Sequence, residues 1–155
     1  MDKDMRAETE ERVSVEFESY SHNEQFARVV TAVFVARLNP TLEELEDIKT
    51  AVSEAVTNCV IHAYEDTVGI IRMELKTREK ELTVRVRDWG LGISDINQAR
   101  EPLYTSKPSK DRSGMGFTFM ETFMDRLEVT SKAGEGTTVE MKKLIGEANL
   151  EYKAV

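Results

Sequence analysis

The sequence predicts one α/β domain: a mixed, mostly antiparallel sheet with helices on one face. Two observations carry this. Segments with strand-like alternation come mostly as neighbours joined by short polar turns, as antiparallel hairpins do. The helical segments do not alternate regularly with strands, which a doubly wound parallel sheet would need. The chain of 155 residues, 40% hydrophobic and 32% charged, has the size and composition of one ordinary globular domain.

In chain order, residues 1–12 ("MDKDMRAETEER") are charged and are expected to form a flexible arm. "RVSVEFES" (12–19) alternates, with Val13, Val15 and Phe17 on one side, and predicts a strand. Ser21 and Glu24 have capping-box spacing, so a helix is expected from there to about Leu38. "NP" at 39–40 ends it. Thr41 and Glu44 repeat the capping-box spacing and open a long helix to about Tyr64. "GIIRMELKT" (69–77) and "ELTVRVRD" (81–88) predict two strands around a polar turn. A glycine loop and a short helix near 94–100 follow, then a loop, "EPLYTSKPSKDRSG" (101–114), with two prolines. "MGFTFMETFMDRL" (115–127) reads as helix, and "LEVTSK" with "TTVEMKKL" as a closing hairpin around "AGEG". The domain is therefore expected over 13–145, with a loose tail over 146–155.

Composition excludes several functions. A formal net charge of -8 argues against nucleic acid held by bulk electrostatics. No run of about 18 apolar residues is present, so no membrane span is expected. Cys59 is the only cysteine, which excludes an intrachain disulfide or a cysteine metal cluster. The charged N-terminus has no apolar core of a secretory leader, and cytoplasmic residence is the expectation.

"SEAVTNCVIHAY" (53–64) raises the chemical question. At about 100° per residue, Leu45, Val52, Val56 and Ala63 form one stripe, widened by Ile48, Ala55 and Cys59. Glu54 and Asn58 project from the opposite side as an i, i+4 pair. Spacing alone fits a solvated polar pair as well as a site. "RDWGLGIS" (87–94) ends a strand in Asp88 and follows it with Gly90 and Gly92. A carboxylate there can accept a hydrogen bond from an amino group, yet a plain turn gives the same pattern. "RSGMGFTF" (112–119) puts Gly114 and Gly116 before a helix, with Ser113 as a candidate N-cap. Free N–H groups at such an entry suit phosphate, yet a plain loop-to-helix junction gives the same pattern. Lys107, Lys110 and Arg112 precede it as the densest basic patch of an acidic chain, placed to fold over a triphosphate. "GEGTTVEM" (134–141) suits a hairpin turn.

In this order the four stretches resemble the N-box, the two glycine boxes and the final G-T element of the GHKL ATPase superfamily. The resemblance is closer to the serine kinases that act as anti-sigma factors, nearest their sporulation sigma-F branch, and runs from about Ser14 to Lys143. "HNEQFARVV", "NPTLEELEDIKTAVSEAVTN", "QAREPLYTSKP" and "RSGMGFTFMETFMD" carry it.

The resemblance implies the GHKL (Bergerat) α/β sandwich, with nucleotide between helices, lid and sheet. It implies that Asn58 coordinates Mg²⁺ on the phosphates of ATP and that Glu54 is the general base. Asp88 would bind the adenine amino group, Gly90 and Gly92 would admit the base, and Thr138 would lie near it. Thr105, Ser106 and Lys107, with Ser113, Gly114, Met115 and Gly116, would meet the nucleotide. Arg112 would neutralise charge on the transferred phosphoryl group, and Arg28 would contact a partner.

The implied function is sequestration of a sigma-F-type sigma factor, with phosphorylation of a serine on an anti-anti-sigma factor, leaving ADP. A homodimer through the N-terminal strand and first helix is also implied. A general stress anti-sigma-B kinase and a nucleotide-dependent sigma-binding module without kinase activity are the alternatives. The first twelve residues are additional to the pattern. Cys59 and Ala63 stand where Ala and Gly are usual, and Trp89 where an acidic residue is common. His62 is expected to be an ordinary helix residue.

Overall fold

The structure is a computed structural model that describes residues 10–101 and 116–146. The arm before residue 10, the tail from 147, and Thr105, Ser106, Lys107, Arg112, Ser113, Gly114 and Met115 lie outside the described residues.

Strand β1 (Glu10–Glu18) is followed by helix α1 (Asn23–Val35), a 3₁₀ turn (Ala36–Leu38) and helix α2 (Leu42–Asn58). A π-helical turn (Cys59–Ala63) ends α2, and β2 (Ile70–Arg78) and β3 (Glu81–Asp88) form a hairpin. The short α3 (Ile96–Ala99), α4 (Gly116–Phe123), β4 (Arg126–Lys132) and β5 (Gly136–Leu144) complete the order. The five strands form one sheet in the order β1-β2-β3-β5-β4.

All four ladders are antiparallel, so the expected mixed sheet resolves to its antiparallel form. The reason is topological. Two helices, α1 and α2, separate β1 from β2, and the chain returns along β1 in the reverse direction. β3 and β4 run in the same direction, but β5 lies between them.

One face of the sheet holds the core. Ile71, Met73 and Leu75 of β2 and Leu82, Val84 and Val86 of β3 are buried with Val139 and Met141 of β5. Against them pack Ala27, Phe34 and Val35 of α1, Ile48, Val52 and Val56 of α2, and Phe117 and Met120 of α4. Truncating one such aliphatic side chain costs about 2–5 kcal/mol. The other face is polar. Arg72–Glu16 and Arg85–Glu140 pair across strands at 2.6 Å, and such exposed pairs contribute at most about 1 kcal/mol each.

The capping box at Thr41 forms: Thr41 Oγ1 accepts from Glu44 N at 3.1 Å, and Glu44 Oε1 accepts from Thr41 N at 2.9 Å. Asn39 takes the left-handed conformation that closes the preceding turn, at φ 53°. The box expected at Ser21 does not form. His22 is the N-cap residue without a side-chain cap, and the Glu24 carboxylate turns instead to Ser53 Oγ of α2 and to Arg28. A tertiary partner outcompetes the local one.

Three other boundaries differ. β1 begins at Glu10, which pairs with Arg78, so residues 10–12 of the expected arm belong to the sheet. The helix expected over 115–127 ends at Phe123, where the buried Lys143 donates to the Phe123 carbonyl at 2.8 Å and β4 starts pairing with β5. The long helix expected to about Tyr64 is α-helical only to Asn58. Its last turn widens, with Tyr64 N donating to Cys59 O at 3.2 Å, while the Ala63 carbonyl accepts from Leu91 N at 3.0 Å.

Candidate nucleotide site

That widened turn faces a cavity of about 280 Å³. α2 and its π turn supply Ala55, Asn58, Cys59 and His62 to the wall, and the end of β3 supplies Asp88. Gly92 and Ile93 come from the following loop, Gly116 and Phe117 from α4, and Thr137 and Val139 from β5. Asn58, Asp88, Gly92 and Gly116, separate in sequence, thus share one space.

Glu54 and Asn58 project from α2 on the side away from its buried stripe, as the helical period requires. They do not face open solvent, because the first residue of α4 stands over them. A Cβ placed on Gly116 would lie 3.1 Å from Asn58 Oδ1 and 3.4 Å from Glu54 Oε2. The carboxylate and the amide oxygen therefore converge on a small gap that a larger residue would fill. That donor set suits a hard divalent cation beside a proton acceptor.

Asp88 is 4% exposed. Its Oδ1 accepts from Gly90 N at 2.9 Å and Thr137 N at 3.2 Å, and its Oδ2 accepts from the Cys59 thiol at 3.5 Å. Burial raises its pKa above the ordinary carboxylate value, and these three donors and Arg87 offset only part of that rise. The Cys59 thiol is pushed well above its usual value by burial and by the charge of Asp88, so it remains a donor. A buried carboxylate opening on the cavity is ready to accept from an amino group of a flat ligand.

The two loop glycines also meet neighbouring protein backbone. Gly90 is required where the loop crosses the π turn: a Cβ there would lie 2.2 Å from the Ala63 carbonyl oxygen. Gly92, at φ +77°, packs its backbone against Lys132. Gly90 thus seats the loop on the π turn, and Gly92 seats it on the β4–β5 hairpin. Ser131 adds to this by accepting from Ile93 N at 2.7 Å and sharing a hydrogen bond with Thr137 Oγ1 at 2.7 Å. Tyr64 Oη accepts from Trp89 N at 2.8 Å and donates to Ile70 O at 2.6 Å, which fixes the start of the same loop.

Thr138, expected beside the base, pairs with Arg87 and Thr130 on the polar face of the sheet. Its neighbour Thr137 is the residue that lines the cavity. The side chains alternate along β5, so only one of two adjacent threonines can face the cavity. Trp89 also lies outside the cavity: Arg72 and Arg87 hold their guanidinium groups 5.2 and 4.8 Å from its ring. His62 lines the cavity, which its helical position had not suggested. The parts played by Cys59, Tyr64 and Ser131 depend on residues 25 or more positions away or on a hairpin register, which the local sequence does not carry. Arg28 lies on α1 with its Nε 3.4 Å from Glu24, away from the cavity.

Antiparallel sheet, helical layer and carboxylate-floored cavity define an ATP-binding domain of the histidine kinase-like class. A family model for the histidine kinase-like ATPase domain matches residues 18–143. The anti-sigma F factor of Clostridium beijerinckii is 56% identical over 136 residues, covering 87% of this chain and 95% of that protein. The anti-sigma F factor of Caldanaerobacter subterraneus is 54% identical over 134 residues, 86% of this chain and 94% of its own. The chain belongs to the anti-sigma F factor family of histidine kinase-like ATPase domains. A solved structure of RsbU and RsbW domains from Mycobacterium tuberculosis shares the fold, with a TM-score of 0.62 at 17% identity over 87% of this chain and 32% of that one. Among the described residues no helix is long and apolar enough to cross a membrane.

Proposed function

We propose that the protein sequesters a sigma-F-type sigma factor and, with Mg-ATP, phosphorylates a serine of an anti-anti-sigma partner. The observation that carries the reading is the convergence of Glu54 and Asn58 on Gly116, with Asn58 and Gly116 lining the cavity that Asp88 also borders. The names of the relatives support a sigma factor as partner.

Asp88 would receive the adenine amino group, with Thr137 beside it in place of Thr138. The amide oxygen of Asn58 would hold Mg²⁺, and backbone N–H groups at the entry to α4 would meet phosphate. When bound, Mg-ATP supplies the phosphoryl group and the metal charge that offsets its negative oxygens. Glu54 accepts the proton of the acceptor hydroxyl, one helical turn from the metal ligand. Thr105, Ser106, Lys107, Ser113, Gly114 and Met115 are proposed to cover the phosphates, and Arg112 to stabilise developing charge. ADP is then the product.

Arg28 is proposed as a partner contact. α1 exposes Phe26, Val29 and Val33 at 47%, 55% and 70%, a stripe at helical spacing that supports a homodimer through this helix.

The test is transfer of labelled γ-phosphate from Mg-ATP to a purified sporulation-type anti-anti-sigma protein. Label on a serine of that partner is the expected result. ATP binding without transfer would favour the sigma-binding module.

A further inference from the structure

Cys59 and Asp88 are 29 residues apart, on the π turn and at the end of β3, and both border the cavity. Cys59 is 5% exposed and Asp88 4%. The two carboxylate oxygens are held differently. Oδ1 is fixed by two backbone N–H groups, those of Gly90 and Thr137. Oδ2 receives the Cys59 thiol at 3.5 Å. The carboxylate is rigid and planar, so those two donors already restrict its rotation about the Cβ–Cγ bond, and a third contact, on Oδ2, narrows what rotation remains. The thiol supplies that third point. A carboxylate oxygen has two lone pairs, so Oδ2 can accept from the thiol and from a ligand amino group together.

We propose that Cys59 is a positioning residue for Asp88, its S–H narrowing the orientation of the carboxylate that reads the 6-amino group of adenine and thereby raising selectivity for adenine. The inference rests on the reading of Asp88 as the adenine contact. Its physical basis is pre-organisation: a carboxylate already oriented loses less freedom when the ligand binds. The thiol suits the place because it is small, tolerates burial and remains protonated beside a carboxylate. Alanine keeps most of the volume and removes the donor. Serine keeps a donor on a shorter bond.

The experiment measures binding of ATP and of purine riboside triphosphate, which lacks the 6-amino group, to the full chain and to Cys59→Ala, Cys59→Ser and Asp88→Asn. The wild-type chain is expected to prefer ATP by about tenfold or more, as expected for one hydrogen bond to a charged group. Cys59→Ala is expected to reduce that preference by about threefold to tenfold, through weaker ATP binding with the analogue's affinity unchanged. Cys59→Ser should recover part of the preference. Because both ligands are titrated into the same preparation, loss of folded protein cannot change the ratio. Equal weakening of both ligands, or an unchanged ratio, in Cys59→Ala overturns the role of Cys59. If wild type and Asp88→Asn alike fail to distinguish the two ligands, the adenine reading of Asp88 itself fails.

Discussion

Asn58 on α2 and Gly116 at the start of α4 face each other so closely that a Cβ on Gly116 would lie 3.1 Å from the Asn58 amide oxygen and 3.2 Å from its nitrogen. The glycine leaves the Asn58 side chain room to present its oxygen. Gly116→Ala is therefore expected to displace that amide and slow phosphoryl transfer by about tenfold or more, as small misplacements at reacting centres do. Thermal unfolding should move little, because a helical alanine is intrinsically favoured over glycine. Initial rates of labelled transfer beside a melting curve check both parts.

Glu54→Ala should leave ATP affinity within about threefold of wild type while lowering serine phosphorylation by about 10²–10⁴-fold, the range of general base catalysis. Equilibrium titration with ATP and single-turnover transfer separate the two. Near wild-type transfer in this variant would show that another group takes the proton.

Asp88 makes the site sensitive to pH in a predictable direction. Its pKa lies above the ordinary carboxylate value, chiefly through burial. Between the two values the folded chain binds a proton that the unfolded chain has released. Its contribution to stability therefore falls as pH rises from the ordinary carboxylate range through the raised value. ATP affinity should move the other way over that window, because the ionised carboxylate is the better acceptor. Asp88→Asn should abolish both dependences and weaken ATP binding about tenfold or more. Denaturant melts and nucleotide titrations across that window report each slope.

The capping box offers a test of stability away from the site. Thr41→Ala should cost about 1 kcal/mol. Glu44→Ala should cost more, because the same buried carboxylate also accepts from Gly146 N, its Oε2 at 3.0 Å. Urea unfolding at neutral pH measures both.

A charge on the exposed stripe of α1 tests the association proposed for it. Val33, 70% exposed, tolerates a polar substitution in the monomer, so Val33→Asp should lower dimer affinity without changing the melting of the monomer. Sedimentation over a range of protein concentrations gives the answer.

By itself the sequence determined what local periodicity and local chemistry can specify. The buried stripe of α2, the opposed Glu54 and Asn58, the Thr41–Glu44 box and the two hairpins were all legible, because each depends on residues a few positions apart. The four boxes in order also pointed to the fold and family. Tertiary structure decided what depends on separate segments meeting. It drew Glu24 from its own helix to Ser53, widened the end of α2 where Leu91 takes the Ala63 carbonyl, and joined Cys59 to Asp88. It also put Thr137 rather than Thr138 on the cavity wall, because strand parity follows from the ladder with β3 and β4 and not from the threonines themselves. Gly90 shows the same division: its place beside Asp88 is written in the chain, but its necessity comes from a carbonyl 27 residues earlier that leaves no room for a Cβ.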